Sequence, residues 1–247
     1  MTEFRMLSYN VHGLRGGPDA VARVVDACAP DVVCLQEAPY LLRWQSRRRR
    51  LDRSIGMVPA ISRRTGGLAV LYRPGIEVHR IGHHVLRRYP GLRVRSLSMA
   101  ALQVEGLPLL VACAHFDPHP GARLHHAGEA VDRLAAFAAE NPGPFVLAAD
   151  AACSPGDAAW RLLTAGLRDA AAEHPWGGSA TFPAHAPRRR VDGVFASGDV
   201  LVRRAGVPVD LVDPADMAAA SDHLPVLADI VLGEAGEAEE GRRPVGG

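Results

Sequence analysis

The chain has 247 residues, 48% of them apolar, so it can bury a sizeable core without a disulfide or metal to hold it together. Its formal net charge is only +1, which excludes a global field drawing it to nucleic acid or a membrane surface. All 28 basic residues are arginine, so lysine nucleophiles, Schiff bases and P-loop lysines are excluded too.

From the start, "MTEFRMLSYNV" enters a strand-like segment, Met6–Tyr9, with no basic-then-apolar leader. Pro18–Cys28 follows with helical spacing of Ala20, Val21, Val24, Val25 and Cys28, and with a proline suited to the first turn. Val32–Leu35 reads as a second strand, completing a strand–helix–strand unit. "RWQSRRRRLDRS" (43–54) reads as a helix following "APYLL" with a solvated arginine face. Leu68–Tyr72 opens a stretch of consecutive strands and turns that runs to Leu109–Ala114. Arg123–Glu140 carries one apolar stripe ended by "NPGP", Phe145–Ala149 is a strand, and Gly156–Leu163 is a third helix. Val191–Ala196 and Val226–Leu232 complete the strands. The mixture favours an α/β sandwich over an alternating doubly wound sheet.

One domain is expected over residues 1–232, and "GEAGEAEEGRRPVGG" beyond it is expected to be disordered. The four cysteines, Cys28, Cys34, Cys113 and Cys153, have no metal-finger or CxxC spacing. No apolar run approaches the roughly 18 residues of a membrane span. A cytoplasmic protein is the expectation, with no membrane partner and a monomer favoured.

The informative pattern is that polar residues sit where apolar runs stop. "LSYNVHG" leaves Asn10 and His12, "DVVCLQEAP" leaves Gln36 and Glu37, and "LLVACAHFDPHP" leaves His115, Asp117 and His119. "FVLAADAACSP" leaves Asp150, "RRRVDGVFAS" carries Asp192, and "ASDHLPVLADI" places Asp222 and His223 ahead of the last strand. Each alone suits a cap or a turn, but together they point to one rim of the sheets. Carboxylates with an amide oxygen are hard ligands suited to Mg²⁺ or Mn²⁺. Histidines beside such an ion can donate to phosphoryl oxygens, and an aspartate can orient the other ring nitrogen. Divalent metal, histidine donors and a free carboxylate for water describe phosphoester hydrolysis. Arg188 and Arg190, in the "RRR" ahead of the Asp192 strand, are expected to bind a substrate phosphate, together with His119 and Asn10.

"LSYNVHGLRG", "PDVVCLQEAP", "ACAHFD", "VLAADA", "RRRVDGVF" and "SDHLPVLADI" together resemble the endonuclease/exonuclease/phosphatase superfamily, the DNase-I-like fold, over residues 5–232. The resemblance implies a four-layer α/β sandwich of two mostly antiparallel sheets flanked by helices. It implies metal ligation by Glu37, with Asn10 and Asp222 contributing. His223 corresponds to a phosphate-facing histidine oriented by Asp192, and His115 to a second phosphate-stabilising position. Asp150 corresponds to the acid that aligns and deprotonates water, expected to stand clear of apolar walls at its strand terminus.

Two departures stand out. The family loop Gly–Asp–x–Asn reads Ala149–Asp150–Ala151–Ala152 here, so an amide donor becomes a methyl group. Losing one preorganised donor costs about 10²–10³ in rate. Cys153 and Ser154 backbone N–H groups and His119 are the candidates for a replacement. The lysine that commonly follows the Gln–Glu pair in repair endonucleases is absent, which argues against an abasic-site enzyme. The leading expectation is a phosphodiesterase acting on a nucleotide, nucleic acid or other phosphorylated metabolite. The alternatives are a repurposed member catalysing a metal-assisted lyase or cyclisation step, and a non-catalytic binding module.

Overall fold

The computed structural model describes residues 1–39 and 43–233. Residues 234–247 of the expected disordered tail and Tyr40–Leu42 of "APYLL" lie outside the described residues. The chain begins with β1 (Thr2–Asn10), α1 (Pro18–Cys28), β2 (Val32–Gln36), α2 (Trp44–Ser54), β3 (Val58–Ser62) and β4 (Ala69–Tyr72). Next come β5 (Glu77–Val85), β6 (Ser96–Val104), β7 (Leu107–His115), α3 (Pro120–Glu140), β8 (Phe145–Asp150) and α4 (Ala158–Thr164). Then follow β9 (Arg168–Asp169), α5 (Ala170–Glu173), β10 (Asp192–Ala196), β11 (Leu201–Gly206), α6 (Pro214–Ala220) and β12 (Val226–Leu232). The first sheet has the order β11-β12-β1-β2-β4-β3 and the second β5-β6-β7-β8-β10-β9. Among the described strands, β1–β2 and β7–β8 are the pairs that run parallel. Each of those pairs is joined by a helix, α1 or α3, as a parallel crossover requires.

The architecture is the expected four-layer sandwich. Alternate residues of the central strands serve two cores. Met6, Val32 and Cys34 meet Val111, Cys113, Val146 and Ala148 between the sheets. Leu7, Val33 and Leu35 face outward onto α1, α2 and α6, while Ala112, Leu147 and Ala149 face α3 and α4. Because both faces of these strands are covered, they read as continuous apolar runs with no alternation. All four cysteines are free and buried among these side chains. Among the described residues no helix is long and apolar enough to cross a membrane.

The arginine helix departs from a simply solvated face. Arg48 is buried, with Nε donating to the Pro39 carbonyl at 2.7 Å and Nη2 to the Ala38 carbonyl at 3.2 Å. Its Nη1 donates to Ser62 Oγ at 3.0 Å and the Leu68 carbonyl at 3.2 Å. One guanidinium thus satisfies the backbone just beyond Glu37, where a loop without ladder partners must still place its carbonyls. Gly16 performs a similar service on the other side of the same rim. A Cβ there would lie 2.2 Å from the Ala219 carbonyl oxygen, so only glycine lets the turn after β1 approach the end of α6.

Arg48→Met is expected to destabilise the protein by about 2–4 kcal/mol, because it orphans buried carbonyls. Arg49→Met, on the exposed face of the same helix, is expected to stay within about 0.5 kcal/mol. Urea denaturation of the two variants checks this, and equal stabilities would show that the Arg48 contacts carry no net weight.

Candidate active site

The two parallel pairs set the site. Register places Asn10 opposite Gln36 at the end of β1–β2, and His115 opposite Asp150 at the end of β7–β8. Asp192, the first residue of the antiparallel neighbour β10, pairs with the same Asp150. The turn ahead of β12 adds Asp222 and His223, with Ser221 Oγ donating to the Asn10 carbonyl at 2.6 Å. Residues far apart in sequence therefore converge at one rim.

Asn10 bridges the two sheets. Its Nδ2 donates to Asp150 Oδ2 at 2.8 Å, and its Oδ1 accepts from the His12 N–H at 3.0 Å. Glu37 follows β2 with φ of 49°, and its carbonyl accepts from the Gly13 N–H at 2.9 Å. Asp222 Oδ1 lies 3.2 Å from His12 Nδ1, and Glu37 Oε1 lies 3.7 Å from Arg93 Nη1. His12, Glu37 and Ala152 all occupy the left-handed region, at φ of 45°, 49° and 52°. Strained backbone of this kind gathers where function requires a particular placement.

Two histidines flank Asp150 in opposite states. His223 Nδ1 lies 2.9 Å from Asp192 Oδ2. Burial alone would lower its pKa, but Asp192, with Asp150 and Asp222 behind it, raises it to about 9. The ring also packs against Phe182, with centroids 4.8 Å apart. Thr181 Oγ1 accepts from the Asp192 N–H at 3.2 Å and fixes the strand start that carries the acid. His115 is pushed down to about 3 by burial, which outweighs Asp150, while Arg95, His223 and Arg93 push the same way. It is therefore neutral at pH 7, and its Nε2 lies 3.2 Å from Asp150 Oδ2. A charged donor and a neutral one thus face a single carboxylate.

Asp150 itself is 3% exposed, which corrects the expectation of an acid standing clear at its strand end. It lies beneath the cleft floor because Oδ2 is drawn to Asn10 and His115 while Oδ1 accepts from the Ala152 N–H at 3.0 Å. Hydrogen bonds, and not exposure, make a carboxylate tolerable there.

Above it opens a cleft of about 760 Å³ lined by Asn10, His12, Glu37, Asp222 and His223, with Arg15, Arg47, Arg93, Arg95, Asp117 and His119. Asp192 lies under this lining, bound to His223, and His115 lines an adjoining hollow with Glu37 and Arg95. Of the sequence-derived positions, Arg188 and Arg190 are not brought to the cleft. Arg190 is taken up by an ion pair with Asp169 and lies 4.8 Å over the Trp160 ring, while Arg188 is exposed. Although it precedes the acid-bearing strand directly, the cluster has its paired member, Arg190, turned sideways toward Asp169 of β9. The cleft draws its cations from elsewhere, from Arg15 after "VHGL", Arg47 of the arginine helix, and Arg93 and Arg95. The alternation in "LRVRSLS", ahead of a strand, was the available signal for the last two.

Two groupings could hold a divalent ion. Asp150, Asp192 and His223 offer ligand atoms within 4.8 Å of one another. Asn10, Glu37 and Asp222 offer an amide oxygen and two carboxylates to the cleft itself.

The sequence profile of the endonuclease/exonuclease/phosphatase family matches residues 7–223, and the chain belongs to that family. Its fold is similar to that of mannosyl-6-phosphatase Bt3783 from Bacteroides thetaiotaomicron VPI-5482, at 19% identity and a TM-score of 0.78, covering 92% of this chain and 99% of that one. An endonuclease/exonuclease/phosphatase from Bacteroides vulgatus aligns at 20% identity and a TM-score of 0.80, over 94% of this chain and 100% of the other. The human Nocturnin catalytic domain with bound sulfate anion aligns at 16% identity and a TM-score of 0.72, over 94% of each chain. No curated protein sequence matches the chain at a significant level.

Removing the orienting acid should show in the titration of its histidine. In metal-free protein, Asp192→Asn is expected to lower the His223 midpoint by about 1–2 pH units. Histidine ring resonances followed by NMR give the answer, and an unmoved midpoint would mean that Asp192 does not charge His223.

Proposed function

We propose that the protein is a Mg²⁺- or Mn²⁺-dependent phosphodiesterase acting on a nucleotide or other phosphorylated metabolite. The observation that carries this reading is one cleft in which His223, charged by Asp192, stands beside Asp150 while Asn10, Glu37 and Asp222 face the same space. Of the two candidate ion sites, the second is the better fit. Within the first, His223 Nδ1 is already committed to Asp192, and a protonated imidazole has no lone pair for a metal. The second supplies hard oxygen donors and open space, as Mg²⁺ and Mn²⁺ require. Bound there, the ion would polarise a phosphoryl oxygen and offset charge as the ester breaks.

The chain's own groups supply the rest. His223 Nε2–H is the cationic donor for a phosphoryl oxygen and stabilises charge that grows in the transition state. Its Nε2 is 4.0 Å from Asp150 Oδ2, too far for a direct hydrogen bond but close enough for one water to touch both. Asp150 is then the acceptor that orients this water and takes its proton, while Asn10 and His115 hold the carboxylate in place. The arginines of the cleft favour an anionic substrate, whereas the near-neutral chain lacks the broad basic surface that long nucleic acid requires. A second, non-hydrolytic reading draws on one feature, the methyl group of Ala152 where a donor amide is expected.

Two measurements test the proposal. Calorimetric titration of Mn²⁺ is expected to show one site in the native protein and binding weakened at least about ten-fold in Glu37→Gln; equal binding would remove Glu37 from the ion's shell. A metal-supplemented screen of phosphodiesters and phosphomonoesters, run in ¹⁸O-water, is expected to yield phosphate products carrying the label. Asp150→Ala should abolish that turnover. Turnover without incorporation would replace hydrolysis by the lyase or cyclisation reading.

A further inference from the structure

Ala152 leaves the site short of a donor, and most of the nearby replacements are committed. The Ser154 N–H is given to Asp157 Oδ2 at 2.9 Å, and the Ala152 N–H to Asp150 Oδ1 at 3.0 Å. His119 caps α3, its Nδ1 accepting from the Ala122 N–H at 3.4 Å, and Cys153 is buried.

Arg95 is differently placed. It precedes β6, is 6% exposed, and lines both the main cleft and the adjoining hollow. Its Nη1 lies 2.8 and 2.7 Å from the two ring nitrogens of His115. Its Nε is buried 3.7 Å from Asp117 Oδ2 without a hydrogen-bond partner, and Nη2 makes no hydrogen bond among the described residues. Asp150, Asp117 and Glu37 are the carboxylates that act on it electrostatically. The guanidinium thus shares a hollow with Glu37 and with His115, whose Nε2 in turn lies beside Asp150. A phosphoryl group seated in the cleft beside Glu37 would meet this cation as part of the same lining. Arginine suits the task, because it stays charged when buried and its planar fork can serve His115 and an anion at once.

We propose that Arg95 is a catalytic residue, donating through its free guanidinium nitrogen to the phosphoryl oxygen that the methyl side chain of Ala152 cannot reach. This rests on the phosphoesterase reading for its reaction, but its contact with a phosphate can be measured without turnover. Arg95→Gln removes the cation and Arg95→Lys keeps a charge without the fork. Ala152→Asn restores an amide at the other position.

The first measurement is calorimetric binding of inorganic phosphate to metal-free protein. Arg95→Gln is expected to weaken it at least about ten-fold and Arg95→Lys by less. The second is turnover of bis(p-nitrophenyl) phosphate with Mn²⁺. Arg95→Gln is expected to lower kcat about 10²-fold with a smaller change in KM. Adding Ala152→Asn to Arg95→Gln should recover at least about ten-fold, whereas the same change in the native background should give less than about three-fold. Damage from loosening His115 and Asp117 would lower the thermal midpoint and would not be repaired by an amide at position 152. If Arg95→Gln does not fold, Arg95→Lys replaces it in both arms. Unchanged phosphate binding, or an equal gain from Ala152→Asn in both backgrounds, overturns the assignment. A native protein that turns over no phosphoester would defeat the phosphoesterase reading alone, and phosphate binding would still decide Arg95.

Discussion

The hydrogen bond from the Asn10 amide to Asp150 joins two sheets whose strands are 140 residues apart in sequence. Everything at the rim is arranged around it. Asn10 ends β1 and Asp150 ends β8, so the bond forms only if both parallel pairs finish at the same height. The core enforces this. Alternate residues of β1, β2, β7 and β8 interlock between the sheets, and sliding one sheet past the other would unpack side chains that fit closely. Burying Asp150 is costly unless its oxygens are satisfied. The sandwich meets that condition only when Asn10, His115 and the Ala152 N–H are all in place. Rim geometry and core packing are consequently one constraint.

The same low-dielectric rim separates the two histidines. Both lie beside Asp150, yet His223 has Asp192 at hydrogen-bond distance while His115 has the Arg95 guanidinium. A carboxylate partner favours the charged ring, whereas His115 is kept neutral first by burial and only then by the nearby cations. The site therefore holds one imidazolium and one neutral imidazole within reach of a single acid, although both rings have the same intrinsic chemistry. Such a division lets one group supply fixed positive charge and the other hold orientation without adding to the repulsion around Arg93 and Arg95.

Much of this was legible in the sequence because the chain writes its site at strand ends. Asn10, Glu37, His115, Asp150, Asp192, Asp222 and His223 were each visible as a polar residue closing or opening an apolar run, and the structure brings all of them to one rim. The sandwich followed from the same runs, with β3, β9, α5, β11 and α6 escaping because short or exposed segments such as Val58–Ser62 bury too little to show a pattern. The arginines were not legible. Twenty-eight of them, with no lysine for contrast, give no signal of which is buried or which faces a cleft. Arg48, Arg95 and Arg190 each found a fixed partner set, but those partners come from loops and neighbouring strands that periodicity does not connect. The run at 188–190 stands out in the sequence, while the cations that line the cleft come from isolated positions.

Ala152 shows how placement and chemistry can separate within one loop. Its φ of 52° is a conformation that alanine adopts at a cost of about 1–2 kcal/mol and that asparagine tolerates more readily. The loop keeps the conformation regardless, because the Ala152 N–H is held by Asp150 Oδ1 and its carbonyl accepts from Arg123 Nη1 at 3.0 Å. Arg123 also reaches the Pro118 carbonyl, tying this loop to the turn that carries Asp117 and His119. The backbone alone is thus sufficient to aim Asp150, and the side chain at position 152 contributes nothing to that aim. An amide there would matter only to a bound ligand, so its absence leaves Asp150, both histidines, Glu37 and Asp222 where the rest of the rim holds them.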